Sequence, residues 1–528
     1  MTILSLVGCI IILWFLSSKK KVIEIVVNTD NVPIANPHNV VEEKEIAASP
    51  EIPSHFVFKS KLNQNSFEPF KPQFSSYAEA LKYIAIEHNH RKTVIISTAD
   101  AGYLDMTLNF FIGSIKRHGL TNFLMLCIQR ESCDIFRNHG IPVYYYSTEN
   151  AGGSASRYNS PEFRRKTHIK TRIVLDALKL NYTVVLSDVD IFYVKNPLEH
   201  WPCPDCDLQV SSDYVEANSG FYLVKANAAG KLLHEEMLKR VRPNNSNQKT
   251  LNPAMKHLKT HGKLRYHTLN NVKWPCGIVY WENEKRMWYT DKFTPEHVLI
   301  HNNWIETSEA KIYRFKEHQM WYLDKDKYYS NGEAKYMTYS NPFNFEKKTR
   351  GIEGDALADA IGIAMALKRI LILPKFHCDG CKYSACKSPS RLCALNVRFH
   401  LQEFDREFKS MYREHVFLDH PFVPSNIKNS QSKELLIETD DLKHNNFSDI
   451  PYGKNRRFKP KDTAKGATSD EIIAWFDSEE FRHISVLHFR MMYNAFKGFT
   501  DSQENNKYKE KIRRGLVKGG YRQYRWEN

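Results

Sequence analysis

Apolar residues along the chain alternate between two textures. Short continuous runs, Thr93 to Ser97, Phe123 to Ile128, Val143 to Tyr146 and Thr183 to Leu186, have the length and β-branched content of buried strands. Between them the apolar positions repeat at helical spacing. Tyr77 to His88 reads as a helix, Met106 to His118 as an amphipathic helix ended by Gly119, and Arg164 to Leu180 as a basic helix with Ile169, Ile173, Leu175, Ala177 and Leu178 crowded on one side. Helix and strand in alternation predict an α/β fold, a Rossmann-like, mostly parallel sheet with helices on both faces, over residues 76–328.

The texture changes three times. From Val22 to about Ser75 no period is sustained and prolines recur, which predicts a stem over 19–75. Between about Tyr328 and Arg350, Ser, Asn, Gly, Pro and Lys replace periodicity, predicting a linker over 329–350. Beyond it Asp355 to Lys368 reads as a strong helix with Leu357, Ile361, Ala364, Met365 and Leu367 buried. It runs into the strand Ile370-Leu371-Ile372-Leu373-Pro374 and so opens a second, smaller α/β domain over 351–528. Within it Ser425 to Thr468 reads as loop and Asp470 to Phe496 as a helical tail. A chain of 528 residues exceeds what one core fills, in keeping with two units.

Residues 3–16 are almost wholly apolar and are closed by Ser17-Ser18-Lys19-Lys20-Lys21. As a helix, the sixteen residues from Met1 span about 24 Å against a hydrocarbon core of about 30 Å, which suits a signal peptide or a short anchor. With no small-residue cleavage pattern behind it, the expectation is an uncleaved membrane anchor over 1–18 holding a lumenal chain in the Golgi. The lysines after it oppose that orientation under the positive-inside rule. A mean hydropathy of −0.52 excludes a polytopic membrane protein. The formal charge of +15 is spread in short runs among acids rather than gathered in a patch, so no nucleic-acid partner is expected.

Ten cysteines are present. Close spacings such as Cys127 to Cys133 read as disulfides in a lumenal chain, and Asn181, Asn244 and Asn446 open N-x-S/T sequons. Cys378, Cys381, Cys386 and Cys393 form an alternative four-ligand zinc pattern.

The chemistry concentrates after the strand Thr183 to Leu186, because ligands of open α/β sheets gather beyond the carboxyl ends of strands. Asp188 and Asp190 stand there at i and i+2, so in extended chain both carboxylates face one way. Paired hard oxygens suit Mg²⁺ or Mn²⁺, which in turn neutralises a diphosphate. Asp205/Asp207 and Asp324/Asp326 repeat the triplet, but neither pair comes after a buried strand. An aspartyl-phosphate phosphatase would want Thr or Val at position 192, which is Phe.

The stretch Thr183 to Pro197, TVVLSDVDIFYVKNP, resembles the nucleotide-diphospho-sugar transferases of glycosyltransferase family 77. Four further stretches match in order: Tyr103 to Asn109, Asp207 to Asp213, Asn218 to Tyr222, and His301 to Trp304. The resemblance implies a GT-A fold, a nucleoside-diphosphate sugar donor, UDP-linked in the first instance, Mn²⁺ (or Mg²⁺), a glycan or glycoprotein acceptor, and retention at the anomeric carbon. Carried over, Asp190 would bind the metal, Asp188 would bind the donor ribose and share the metal, and His301 would be a further ligand.

Asn218, Ser219 and Gly220 would let backbone approach a sugar, with Asp213, Asn218 and Ser219 the candidates for the catalytic pocket. Thr98 and Tyr103 would hold the nucleoside, and Lys170 would face the diphosphate. One departure stands out. Family members usually carry a glycine and a lysine soon after the histidine, whereas Ile305 to Lys311 contains no glycine. Either Lys311 compensates through a different loop, or donor binding is weakened, which makes a lumenal sugar-binding or scaffold protein the alternative to the enzyme. The C-terminal unit resembles, more faintly, the opening of GT-B fucosyltransferase-like domains through Asp355 to Ile361 and Leu371 to Pro374.

Overall fold

The computed structural model describes residues 10–17, 20–27, 67–147, 160–282, 296–340, 350–377, 392–440 and 456–517. The chain divides into two units, Met1–Lys61 and Leu62–Asn528. In the first, β1 (Ile10–Ser17) and β2 (Lys20–Val27) form an antiparallel pair with Ile10 opposite Val27, in place of the helix assumed for the apolar segment. No helix among the described residues is long and apolar enough to cross a membrane.

The first half of the larger unit contains, in chain order, β3 (Ile86–His88), β4 (Arg91–Thr98), β5 (Phe123–Cys127), β6 (Val143–Tyr145), β7 (Thr183–Ser187), β8 (Ile191–Tyr193), β9 (Leu208–Ser212), β10 (Ala217–Val224), β11 (Tyr266–Thr268) and β12 (Leu299–His301). Eight of them make one sheet in the order β11-β9-β10-β7-β4-β5-β6, with β3 beside β4. The pairs β7/β4, β4/β5 and β5/β6 are parallel, while β10 runs antiparallel to both β7 and β9.

Helices α1 (Tyr77–Ile84), α4 (Pro161–Lys179), α5 (Ala228–Lys239) and α6 (Asn247–Thr260) bury one face of this sheet, where Leu81, Ile173, Leu233 and Leu251 meet Val94, Leu124, Val184 and Tyr222. On the other face α2 (Leu104–Phe110) brings Phe110 to 5.8 Å from Phe123 of β5. Helix α3 (Arg130–Asn138) joins β5 to β6.

Local chemistry starts and stops these helices, with two departures from expectation: α1 stops at Ile84, where the helix expected through His88 gives way to β3, and α4 begins at Pro161, three residues before Arg164. Ser160 caps α4 by accepting from the Phe163 N–H at 3.2 Å, with Pro161 in the first turn. Gly119, at φ 64°, ends the region begun by α2, which continues beyond Phe110 as a π turn and a 3₁₀ turn. Among the described residues the disulfides are Cys127–Cys133 and Cys203–Cys206, and Cys276 is a buried free thiol. Residues 378–391, which hold three cysteines of the zinc pattern, lie outside the described residues, as does the side chain of Cys393.

The second sheet is six-stranded, built from β13 (Tyr336–Tyr339), β14 (Ile370–Ile372), β15 (Tyr412–Arg413), β16 (Leu435–Ile437), β17 (Arg456–Phe458) and β18 (Val486–Phe489) in the order β15-β14-β13-β18-β16-β17. Every pairing in it is parallel. Three expectations change here. The stretch read as linker supplies a central strand, β13; the stretch read as loop supplies β16 and β17; and the helical tail holds β18 after two short helices. These strands are only three or four residues long, too short to show a period, and their neighbours across the sheet define them.

Helix α8 (Arg350–Ala366) packs against this sheet with Leu357, Ile361 and Ala364 buried, and Met365 and Leu367 partly buried against the same core.

This packing makes two predictions. A Cβ on Gly362 of α8 would lie 2.3 Å from the Phe496 ring, whereas one on Gly354 meets nothing within 4 Å. Gly362→Ala should therefore lose about 1–3 kcal/mol to overpacking, while Gly354→Ala should be neutral or gain up to about 1 kcal/mol of helix propensity, as read by urea denaturation.

The second concerns His234, fully enclosed between the Tyr222 hydroxyl at 3.1 Å and the Gly230 carbonyl at 3.0 Å, where burial pushes its pKa down to about 4. The unfolded state then binds the extra proton between about pH 6.5 and 4, so stability should fall as pH is lowered across that window. A His234→Gln variant should show a shallower fall in denaturation midpoint over the same range.

Candidate active site

β7 delivers the site. Its residues Val184, Val185 and Leu186 are buried, and Ser187, at its end, accepts a hydrogen bond on its carbonyl from Ser97 Oγ at 2.6 Å. Residues 188–190 then leave the strand as a turn, not as the extended chain that the i, i+2 argument assumed. Long-range pairing brings the carboxylates to their partners instead. The Asp188 N–H donates to the Gly220 carbonyl of β10 at 2.7 Å. β8, which begins just after Asp190, pairs antiparallel with β12 so that Ile191 faces His301. The Asn302 N–H donates to the Asp190 carbonyl at 2.8 Å.

As a result, ligand atoms of Asp188, Asp190 and His301 all lie within 4.8 Å of one another. His301 Nε2 is 3.4 Å from Asp190 Oδ1. Gly220 leaves the space open: a Cβ there would lie 2.7 Å from both Asp188 Oδ2 and His301 Cε1. Two carboxylates and an imidazole around such a cradle fit a divalent cation.

Two lysines complete the cluster. Lys170 of α4 donates to Asp188 Oδ1, and Lys311 Nζ stands 2.6 Å from Asp190 Oδ2. Burial alone would raise the Asp190 carboxyl, but Lys311 and His301 outweigh it and hold the group well below the usual carboxylate range. Burial pulls the Lys311 ammonium down, and Asp190, Tyr103 and Asp188 together carry it above its ordinary value. The Tyr103 hydroxyl is raised, mainly by burial, within the field of Lys311, Asp190 and Asp100. Tyr103 therefore borders the cluster. Asp100 accepts from Lys166 at 3.1 Å on Oδ2, while its buried Oδ1 has no hydrogen-bond partner among the described residues.

The loop after His301 answers the question raised by its missing glycine. Thr307 takes φ 64°, ψ 147°, a backbone conformation that glycine adopts at far lower cost. Its hydroxyl caps α7 (Ser308–Glu317) by accepting from the Ala310 N–H at 3.3 Å. Starting there, α7 turns Lys311 back toward Asp190. Thr307 thus holds a positive-φ position in a loop that contains no glycine.

The remaining candidates divide. Asp213 is fixed by three donors: Asn303 Nδ2 at 2.8 Å and Trp304 Nε1 at 2.7 Å on one oxygen, and Gln248 Nε2 at 2.9 Å on the other. Asn218 Oδ1 accepts from the Gly220 N–H at 2.6 Å and so shapes the cradle. Ser219, expected in the catalytic pocket, instead donates its hydroxyl to Asn247 Oδ1 of α6 at 3.1 Å, a buried structural bond. Thr98 ends β4 half-buried, and no bond among the described residues joins it to the cluster. Asp100 escaped the sequence reading, and Asn303 and Trp304 entered it only as part of a matching stretch, without a role. The last two come directly after the His301-Asn302 pair, and only the tertiary contact with Asp213 gives them a role.

Residues 118–315 match the family model described as nucleotide-diphospho-sugar transferase. This stretch is related to the nucleotide-diphospho-sugar transferases. It contains both aspartates, His301 and Lys311. Among curated proteins, the chain is 30% identical to the beta-arabinofuranosyltransferase RAY1 of Arabidopsis thaliana over 28% of its own length and 30% of the relative's. It is 23% identical to the UDP-galactose:fucoside alpha-3-galactosyltransferase of Dictyostelium discoideum, covering 46% of this chain and 45% of that one. The arabinosyltransferase XEG113 of Arabidopsis thaliana is 20% identical over 80% of this chain and 73% of its own. The chain thus spans less than half the length of the first two.

The cradle makes a direct prediction. Gly220→Ala would press a methyl against Asp188 and His301, so divalent-cation binding by titration calorimetry should weaken at least about tenfold with the fold intact by circular dichroism.

Proposed function

We propose that this protein is a metal-dependent retaining glycosyltransferase of the kind that the family 77 resemblance implies, moving a sugar from a UDP-sugar to a glycan or glycoprotein acceptor. The observation that carries the proposal is the cluster of half-buried Asp188 with buried Asp190 and His301 at the carboxyl end of β7, inside the stretch related to nucleotide-diphospho-sugar transferases. A divalent ion bound there would neutralise the donor diphosphate and stabilise it as leaving group.

The chain's own groups divide the remaining work. Lys170 and Lys311 place two cations beside the carboxylates, where they attract and orient a diphosphate. Tyr103 offers a ring to a nucleobase, and the free Asp100 Oδ1 accepts from a base N–H. Asp213, held on both oxygens, presents a fixed carboxylate for sugar hydroxyls. We place the reaction in the Golgi lumen, with the apolar N-terminal segment as membrane anchor. The two disulfides support an oxidising compartment.

A panel of UDP- and GDP-sugars with Mn²⁺ tests the reading. At least one donor should be hydrolysed or transferred, chelation by EDTA should abolish turnover, and Asp190→Asn should lower it by about 10²-fold or more. Donor binding without turnover would favour the sugar-binding alternative. No binding at all, with Asp190→Ala indistinguishable from the parent, would overturn the proposal.

A further inference from the structure

We propose that Arg314 is a positioning residue through which the C-terminal sheet unit holds the Asp213 side of the pocket in register, an inference that rests on the glycosyltransferase reading above. Arg314 lies on α7 and is fully buried. Taking a guanidinium out of water costs several kcal/mol, so a fold keeps one there only where its donors are used.

On the pocket side, Arg314 Nη1 donates to the Asn303 carbonyl at 3.2 Å. Asn303 passes the restraint on: its Nδ2 donates to Asp213 Oδ1 at 2.8 Å, and its Oδ1 accepts from the Gly277 N–H at 2.6 Å. Gly277 seals the contact, since a Cβ there would fall 1.9 Å from the Asn303 oxygen. Asn303 is thereby clamped on backbone and side chain together, and Asp213 takes its orientation from it.

On the other side, Arg314 Nε donates to Asn396 Oδ1 at 3.3 Å. Asn396 belongs to α9 (Leu395–Arg398), a single turn rooted in the second unit. Leu395 is buried in that unit's core, and Arg398 pairs with Glu353 of α8 at 2.7 Å. The Leu395 N–H also donates to Glu317 Oε1 of α7 at 2.9 Å. Lys311, Arg314 and Glu317 thus succeed one another at three-residue spacing, the first on Asp190 and the other two on α9. Ile305, Ala310 and Tyr313 join the core of the second sheet. α7 is a brace between that core and the pocket.

A carboxylate displaced by an ångström in a transfer site costs about 10²-fold in rate, so the brace should act on turnover more than on donor affinity. The test uses the full chain with Asn396→Leu, which keeps the branched shape and removes the acceptor, Asn396→Asp, which keeps the acceptor, and Arg314→Lys, which loses the planar fork and serves if Asn396→Leu fails to fold. With the UDP-sugar that the parent protein turns over, Asn396→Leu and Arg314→Lys should lower kcat about tenfold, leaving donor KM and Mn²⁺-UDP affinity within about twofold. Hydrogen–deuterium exchange should rise in segments 209–216 and 299–306, and Asn396→Asp should restore both readouts.

Equal behaviour of the Leu and Asp variants, or losses in kcat and KM that track melting temperature with no local rise in exchange, would overturn the proposal. A parent protein that neither binds UDP nor turns over any sugar would fail the functional reading instead. The exchange pattern then decides alone: a rise confined to the two segments supports the brace, and no rise refutes it.

Discussion

The antiparallel pairing of β8 with β12 joins Phe192 to Ile300 and Ile191 to His301, two segments far apart in the chain. Everything distinctive about the site hangs from it. The register fixes which side chain meets Asp190: a slip of one residue would send His301 to the opposite face and a neighbour into its place. The Asn302 N–H bond to the Asp190 carbonyl secures that register from the other end. The chain beyond His301, first the loop through Trp304 and Thr307 and then α7, is aimed by this one short ladder.

Such a cluster is expensive. Each buried ion costs several kcal/mol of desolvation, and two carboxylates at this spacing also repel. Lys170 and Lys311 offset the expense, and the opposed shifts of Asp190 and Lys311 express the same attraction seen from its two ends. Replacing the set by apolar residues of similar volume would stabilise many folds. Its presence at the end of a central strand is better explained by a ligand that needs it than by stability.

The second unit is an all-parallel sheet with its own core, yet α7 contributes residues to that core while carrying Lys311 to the site. The two halves of residues 62–528 therefore share a helix rather than a tether. The polar texture between Tyr328 and Arg350 suggested a linker because β13, flanked by loop, is only four residues long. Its burial comes from β14 and β18 on either side, and no local period announces that.

The sequence by itself determined the α/β class, the strand that ends at Ser187, the ends of α2's region and α4, the Cys127–Cys133 pair, and the aspartates and histidine worth examining. These come from local rules, because burial on both faces writes a continuous apolar run, and caps, glycines and close cysteine spacings act within a few residues. Only the tertiary structure decided that Ser219 turns away to Asn247, that Asp213 is held by Asn303 and Trp304, that Thr307 takes a positive φ, and that strands of two to four residues assemble a second sheet. Each of those outcomes depends on which distant backbone arrives alongside, and pairing register between distant segments leaves no periodic trace in either one.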